Sequence, residues 1–456
     1  MNKRKLKLCL LVYYTVPPAL VCVSYVFDPG IISDPLLGAS LVSGVIGYSW
    51  LMVQLLLSAR LKWIERGIGQ DRLLLFHRVM APVSVALLVV HFLVKVLLYP
   101  ASLQVFGGVI VFFGFLLVGF VSAALFSGPR KEGAQDGSKK GAKDRIFGGL
   151  QKLAYGKLKL QYQHIKALHN GTFLLTVIMF LHVIGSSTAE YSKVLRGYFI
   201  ILFTAAAAAY MYHKLLRPWL FTPVYQVVAI DSPSPEITNI GLELVKGRGV
   251  VHSPGQFAFY RFLKGFPGKE EHPFTISAGA APSKNNYLSF TAKALGDFTG
   301  ALPQVPVGSR VKVDGPYGVF TSHVVSAHRP RVWIAGGIGI TPFLSMARTL
   351  SYEGESREVQ RPLLIWNVRL AEDFIYLNEF EPVAQVVQVL DSRDTSWKGR
   401  RGRITKELLE DVLSEETIKD ALFFICGPPA MMQQVRTNLH QLGVDRHRML
   451  WERFAL

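Results

Sequence analysis

Apolar runs dominate the first half of the chain and stop near residue 213. A run of about 17 to 25 apolar residues can cross a hydrocarbon core of about 30 Å as a helix. Six are read, at 6–27, 36–58, 73–98, 105–126, 170–187 and 196–213. The first follows a Lys/Arg cluster, lacks a small-residue cleavage site and contains Pro17 and Pro18, which predicts a retained, kinked helix and not a signal peptide. About 240 residues follow the last run, enough for two ordinary domains.

Charge orients this half. The formal net charge is +18, and the stretch from Gly128 to Lys166 holds ten Lys/Arg against three acids. The link from Arg60 to Arg72 holds four against two, whereas Asp28–Asp34 and Tyr99–Gln104 hold no base at all. The positive-inside rule then puts the N-terminus, the basic loop at 128–168 and everything after Arg217 in the cytoplasm of a multi-pass protein of the plasma or inner membrane. The loop composition at Gly133–Lys143 suits a flexible tether resting on anionic lipid. This account absorbs the basic balance, so a nucleic-acid partner is not expected. The three cysteines, Cys9, Cys22 and Cys426, have no spacing that implies a disulfide framework or a thiolate metal site.

Four histidines lie inside the apolar runs in two matched pairs: His77 with His91, fourteen residues apart, and His169 with His182, thirteen apart. An imidazole at membrane depth is costly and is usually partnered in the bundle interior. At about 1.5 Å of rise per residue, either spacing separates two imidazoles by roughly 20 Å, the separation that two stacked haems need. One such histidine could simply hydrogen-bond between helices; four in two pairs at matched depth point to iron. Fourteen residues turn through about 1400°, within 40° of whole turns, so His77 and His91 share a face. Thirteen do not, so either run five is tightened at Asn170 and Gly171 or its imidazoles approach the haems from different sides. His77 and His169 fall near the cytoplasm, His91 and His182 near the outer face. Bis-imidazole ligation fills both axial positions and favours electron transfer over oxygen binding at iron. His164 and His213 lie in the flanks and are read as non-ligands. Lys95, four residues after His91, either snorkels to the outer interface or lends charge to the outer haem pocket.

Alternating apolar residues with Gly and Pro punctuation from Val224 to Phe320 predict a small antiparallel barrel. It contains His272-Pro273-Phe274-Thr275-Ile276-Ser277, then Lys293-Ala294-Leu295-Gly296-Asp297-Phe298-Thr299, then Gly315-Pro316-Tyr317-Gly318. Hydroxyls and N–H groups at such turns can hold a pyrophosphate beside a planar ring. From Arg331 strands alternate with helices. Val332-Trp333-Ile334-Ala335 reads as a buried strand, and Gly336-Gly337-Ile338-Gly339-Ile340-Thr341-Pro342 turns it into a helix whose positive end favours phosphate. Trp366-Asn367-Val368-Arg369, Asp391-Ser392-Arg393 and Phe424-Ile425-Cys426-Gly427-Pro428-Pro429 follow.

Together these motifs resemble the superfamily of ferric reductases and NADPH oxidases, and the likeness runs from about residue 36 onward. The resemblance implies a multi-domain membrane protein: an all-α six-helix transmembrane di-haem bundle (1–215), an antiparallel β-barrel FAD domain (216–325) and an α/β Rossmann-like NAD(P) domain (326–456). It assigns FAD to His272, Pro273, Phe274 and Thr275, with Ser277, Gly296 and Thr299 near its phosphates. It assigns the nicotinamide nucleotide to Gly337, Gly339, Thr341, Cys426, Gly427 and Pro428, with Cys426 as a catalytic residue. Ser392 and Arg393 stand where the family holds the adenosine 2′-phosphate and Arg369 adds charge nearby, which implies a preference for NADPH over NADH. The family's flavin-covering aromatic corresponds to Phe454, with Trp451 as a competitor. Two b-type haems on His77, His91, His169 and His182 would then carry electrons across the bilayer to an extracytoplasmic acceptor, ferric chelate or dioxygen. Quinone or a periplasmic protein are the alternative acceptors, and no accessory subunit is legible. A redox sensor would need the cofactor motifs but no continuous path, against which the four histidines argue; a transporter would need intramembrane acids or broken helices, and outside the links the six runs hold no Asp or Glu.

Overall fold

The protein is described here from a computed structural model covering residues 3–27, 34–98, 103–125, 154, 162–186, 189–190, 192–264, 268, 270–280, 286–320, 329–353, 361–392 and 396–452. Most of the basic loop, Arg393 and Phe454 lie outside the described residues. The chain divides into two compact units, one of residues 1–61 and 73–215, the other of residues 62–72 and 216–456. Sequence reading alone leaves the short link 62–72 with the apolar half.

The first unit is helical: α1 (Lys3–Phe27), α2 (Pro35–Ser58), α4 (Gln70–Leu98, entering the unit at residue 73), α5 (Leu103–Leu125), α6 (Tyr162–Asn170), α7 (Thr172–Ile184) and α8 (Lys193–Tyr210). Among the described residues four helical stretches are long and apolar enough to cross a membrane: Pro35–Ser58, Arg72–Leu98, His164–Ile184 and Lys193–Leu220. The runs expected at 6–27 and 105–126 fall on α1 and α5, where the apolar stretches are the shorter Leu11–Ser24 and Phe106–Ser122. Asp34 starts α2 by accepting from the Leu36 N–H at 2.8 Å, and Pro35 fits the first turn because it has no N–H to lose. The buried side of α2 carries Gly38, Ser40, Ser43, Gly47 and Ser49. Small residues allow close helix approach without a hydrophobic gradient between helices. A Cβ on Gly47 would sit 3.1 Å from the Ser84 carbonyl oxygen of α4. Outward faces stay apolar, with Leu93 and Leu97 on α4 and Phe113 and Leu117 on α5 exposed.

The interruption between α6 and α7 has a local cause. The Gly171 N–H is shared between Ala167 O at 3.1 Å and Leu168 O at 3.0 Å, and the second is a tighter, three-residue bond. That is the tightening anticipated at Asn170 and Gly171.

The second unit contains α3 (Lys62–Ile68) and two sheets. The first sheet is antiparallel: β1 (Val224–Ser234), β2 (Ile237–Lys246), β3 (Phe257–Phe262), β4 (His272–Thr275), β5 (Tyr287–Lys293) and β6 (Arg310–Tyr317), in the order β4-β3-β6-β1-β2-β5. A bridge between Ile276 and Phe290 joins residues at its two outer strands. Tyr225, Ile240, Leu242, Tyr260, Phe290 and Val313 form its buried face. The second is parallel: β7 (Arg331–Gly336), β8 (Leu363–Val368), β9 (Gln385–Leu390), β10 (Arg400–Arg401), β11 (Leu422–Cys426) and β12 (Met449–Trp451), in the order β10-β9-β8-β7-β11-β12. Its central strands are near-continuous apolar runs because both faces are covered, by one cluster around Trp333, Phe343 and Trp366 and another around Ile334, Ile365 and Leu439.

Candidate functional sites

In the helical unit the histidines are built in pairs. His77 and His91 project from the single helix α4, His169 from α6 and His182 from α7. The His77 and His169 rings face each other with centroids 6.0 Å apart and planes at 86°. Imidazole nitrogen binds a transition metal at about 2 Å, so two rings holding one ion from opposite sides have centroids roughly 6 Å apart. The pair therefore fits a shared metal centre. His91 Nδ1 lies 2.9 Å from the Ser40 carbonyl oxygen, which can only accept, so Nδ1 carries the proton and Nε2 is left as the lone-pair nitrogen. His77 Nδ1 lies 3.1 Å from Gln54 Oε1, and His169 Nδ1 lies 3.1 Å from Ser122 Oγ. Such partners fix tautomer and ring orientation in metal-bound histidines. Glycines make room: a Cβ on Gly44 would lie 2.6 Å from His91 Nδ1, and one on Gly108 3.1 Å from His182 Cε1.

In the second unit, two turns separated by about 90 residues of sequence meet. The Gly-rich turn follows β7 and the Cys426-Gly427-Pro428 turn follows β11, its parallel neighbour, with Cys426 opposite Ala335. From β7 the chain runs outward through β8, β9 and β10, then returns to add β11 and β12 on the other side. The gap between β7 and β11 is thus the switch point at whose carboxyl edge open α/β sheets bind ligands. Contact there is backbone to backbone. A Cβ on Gly339 would lie 2.5 Å from the Cys426 carbonyl oxygen, whereas one on Gly337, at φ +54°, would meet nothing within 4 Å. Thr341 begins a thirteen-residue helix, Thr341–Glu353, whose positive end faces the same edge. Arg369 and Ser392 follow adjacent strands at this edge, tied by the Asp391 N–H to Val368 O bond of 2.7 Å.

On the antiparallel sheet, His272 through Thr275 form β4, paired with β3. The His272 ring stacks on Phe298 with centroids 3.6 Å apart, which brings the second turn motif against β4. Phe274 stacks on Phe290 at 4.7 Å. Ser277 is fully buried, with its hydroxyl 3.0 Å from Ser289 Oγ. Thr299 closes its own turn, accepting from the Gly296 N–H at 3.1 Å and the Leu295 N–H at 2.9 Å. Trp451, the competitor for the flavin face, carries the Arg436 guanidinium 4.4 Å above its ring.

Four residues that sequence reading passed over belong to this region. Arg348 holds Glu379 through two bonds of 2.6 and 2.7 Å and donates to Ser277 O at 3.0 Å, tying the Thr341–Glu353 helix to the strand end after β4. Glu452 is buried, with a carboxylate oxygen 3.0 Å from where a Cβ of Gly318 would lie. Burial, reinforced by the Glu452 carboxylate, pushes the Cys426 thiol well up, so it stays protonated. Glu65 of α3 is buried and accepts from the Gly318 N–H at 2.7 Å, while Lys62 Nζ donates to Gly315 O at 2.6 Å. An acid in a basic link and an acid at the end of the last strand were the available signals.

Residues 43–128 match the family model "Ferric reductase like transmembrane component", and residues 333–437 match "Oxidoreductase NAD-binding domain". The reductase component of propane 2-monooxygenase from Rhodococcus jostii is 27% identical over 50% of this chain, and the chain spans 63% of that protein's length. Ferredoxin–NADP reductase B from Sorangium cellulosum is 27% identical over 50% of this chain and 96% of its own. The flavohem-like FAD/NAD binding domain of nitric oxide dioxygenase from Vibrio cholerae is 22% identical over 51% of this chain and 98% of its own, with a TM-score of 0.44. Two family models thus meet in one chain, a ferric reductase like transmembrane component followed by an oxidoreductase NAD-binding domain, which is the order of a membrane component fused to a reductase module.

Proposed function

We propose that the chain carries electrons from cytoplasmic NADPH through FAD and two b-type haems to a one-electron acceptor on the opposite side of the membrane, ferric chelate or dioxygen. The observation that carries the reading is the facing His77 and His169 pair, 6.0 Å apart, with the Nδ1 atoms of His77, His91 and His169 each held by a partner. Bound flavin accepts a hydride and releases electrons singly, and haem iron carries one electron at a time. The residues do the rest. His77 and His169 would hold the inner haem iron and His91 and His182 the outer, so an acceptor would take electrons without itself binding iron. His272, Pro273, Phe274 and Thr275 line the flavin ring, with Ser277, Gly296 and Thr299 toward its phosphates. Gly337, Gly339, Thr341, Gly427 and Pro428 cradle the nicotinamide nucleotide. Cys426, its thiol kept neutral by burial, would act at the nucleotide, and Phe454 is the candidate to cover the flavin between turnovers.

The reading divides the chain into a six-helix transmembrane domain (1–215), a flavin barrel (216–325) and a nucleotide domain (326–456), with N-terminus and both soluble domains cytoplasmic. Proteoliposomes with NADPH sealed inside test it. Cytochrome c reduction outside that superoxide dismutase abolishes would mark dioxygen as acceptor, and saturable anaerobic reduction of a ferric chelate would mark iron. Reduction of a bilayer quinone with neither external acceptor reduced would overturn outward transfer.

Nucleotide preference is tested separately. A guanidinium binds the 2′-phosphate dianion with paired, charge-assisted bonds. Arg393→Ala is therefore expected to lower kcat/KM for NADPH by about tenfold or more and leave NADH nearly unchanged, a loss of about 1.5–3 kcal/mol. Equal kcat/KM for both nucleotides in the unmodified protein would rule the assignment out.

A further inference from the structure

A row of aligned residues crosses the antiparallel sheet where the chain enters it. Val224, the first residue of β1, lies opposite Lys246 of β2 on one side and Lys312 of β6 on the other. Lys312 in turn lies opposite Arg261 of β3. Directly opposed residues of antiparallel strands share a face, with Cβ atoms about 5 Å apart. Lys246, Lys312 and Arg261 therefore occupy one face, with the uncharged Val224 between the two lysines. Lys312 registers this: desolvation first, then the Arg261 and Lys246 charges, holds its ammonium pKa below the ordinary value.

The fold compensates only in part. Arg261 lies 3.6 Å from Glu271, and Lys312 Nζ donates to Pro218 O at 2.9 Å. Like charges directly opposite destabilise a sheet, and a sheet face gains nothing from three of them unless an anion meets it. The flanking sequence indicates which anion. Trp219, Leu220 and Phe221 are 76%, 54% and 63% exposed; Trp219 and Leu220 close the last apolar helical stretch and Phe221 directly follows it, just before Val224. Indole and large apolar side chains at the end of a span belong to the membrane interface. Phe221 and Arg248 also line a cleft of about 290 Å³ on this unit, in which Asp314, already paired with Arg217 at 2.9 Å, is the acid.

We propose that this face, Lys246, Lys312 and Arg261 flanked by Trp219 and Phe221, is a docking surface for the anionic phospholipid headgroups of the cytoplasmic leaflet. The inference rests on the membrane reading above. A cation at such a surface contributes roughly fivefold in affinity, and the attraction weakens as salt shortens the Debye length.

The test uses the full chain in nanodiscs of phosphatidylcholine alone or mixed with phosphatidylglycerol. Acylation of Lys246 and Lys312 by a water-soluble reagent is followed by mass spectrometry, with exposed Lys419 as the internal control. At low ionic strength, labelling of both lysines relative to Lys419 is expected to slow by about fivefold or more in the anionic discs and to recover in high salt. In a Lys312→Gln/Arg261→Gln variant, Lys246 labelling is expected to lose its dependence on lipid while NADPH-driven ferricyanide reduction confirms a folded reductase unit. Equal labelling in both discs, or shielding in neutral discs by inorganic phosphate, overturns the proposal. Failure of the chain to co-purify with discs would instead overturn the membrane reading.

Discussion

His169→Leu is expected to leave the purified protein one haem short per chain and to cut NADPH-driven electron flow across the bilayer by more than about 100-fold, while NADPH-dependent ferricyanide reduction by the soluble half persists. His169 faces His77 at 6.0 Å, and leucine keeps the apolar volume but supplies no lone pair to iron. Ser122→Ala provides the graded control. It removes only the partner 3.1 Å from His169 Nδ1, and losing such a partner typically costs metal affinity about 10–100-fold. His91 should respond differently, because its Nδ1 proton is held by the main-chain carbonyl of Ser40, which side-chain replacement leaves in place. Reduced-minus-oxidised spectra with a pyridine haemochrome assay read the result. A spectrum without b-type bands in the unmodified protein, or full haem content in His169→Leu, would sink the assignment.

What the sequence made visible is the part that repeats at fixed intervals or sits in contiguous motifs. The spacing from His77 to His91 is a property of one helix, so 3.6 residues per turn put them on one face without tertiary information. The thirteen-residue spacing from His169 to His182 left either a local tightening or an approach from different sides, and the tight bond at Gly171 is such a tightening. The partners of these histidines are a different matter. Gln54, Ser40 and Ser122 lie on α2 and α5, and which residue of one apolar helix meets which residue of another is decided by packing that local periodicity does not encode.

The reductase half shows the same divide. The turn at Gly336–Thr341 and the Cys426–Pro428 motif are each legible, but their meeting follows from strand order, with β11 inserted beside β7 and not after β10. Glu65 and Glu452 escaped notice because each becomes special only on burial near Gly318, from segments almost 390 residues apart. Arg348 likewise lies on the helix that follows the Gly-rich turn, and its role comes from the strand end it reaches.

The two glycines of the nucleotide turn separate ligand approach from protein packing, and this gives the second large effect. Gly339→Ala would place a methyl carbon 2.5 Å from the Cys426 carbonyl oxygen and 2.8 Å from the Gly427 Cα. Both neighbours are backbone, so β11 and its turn must shift, at about 1–3 kcal/mol for overpacking. A fall in Tm and loss of nucleotide-driven activity are expected together. Gly337→Ala meets no protein atom within 4 Å, and its direct cost is the φ of +54°, about 1–2 kcal/mol for a residue with a Cβ. Its methyl would occupy open space on the turn that leads into the helix starting at Thr341, the turn an anion at that positive end would contact. KM for NADPH is therefore expected to rise by about tenfold or more in Gly337→Ala with only a small fall in Tm, since about 1.4 kcal/mol of lost contact is a factor of ten. Steady-state kinetics and thermal unfolding on the same preparations make the comparison. Unchanged KM in Gly337→Ala would place the pyrophosphate elsewhere, because a backbone turn that accepts a methyl without penalty is not in van der Waals contact with its ligand.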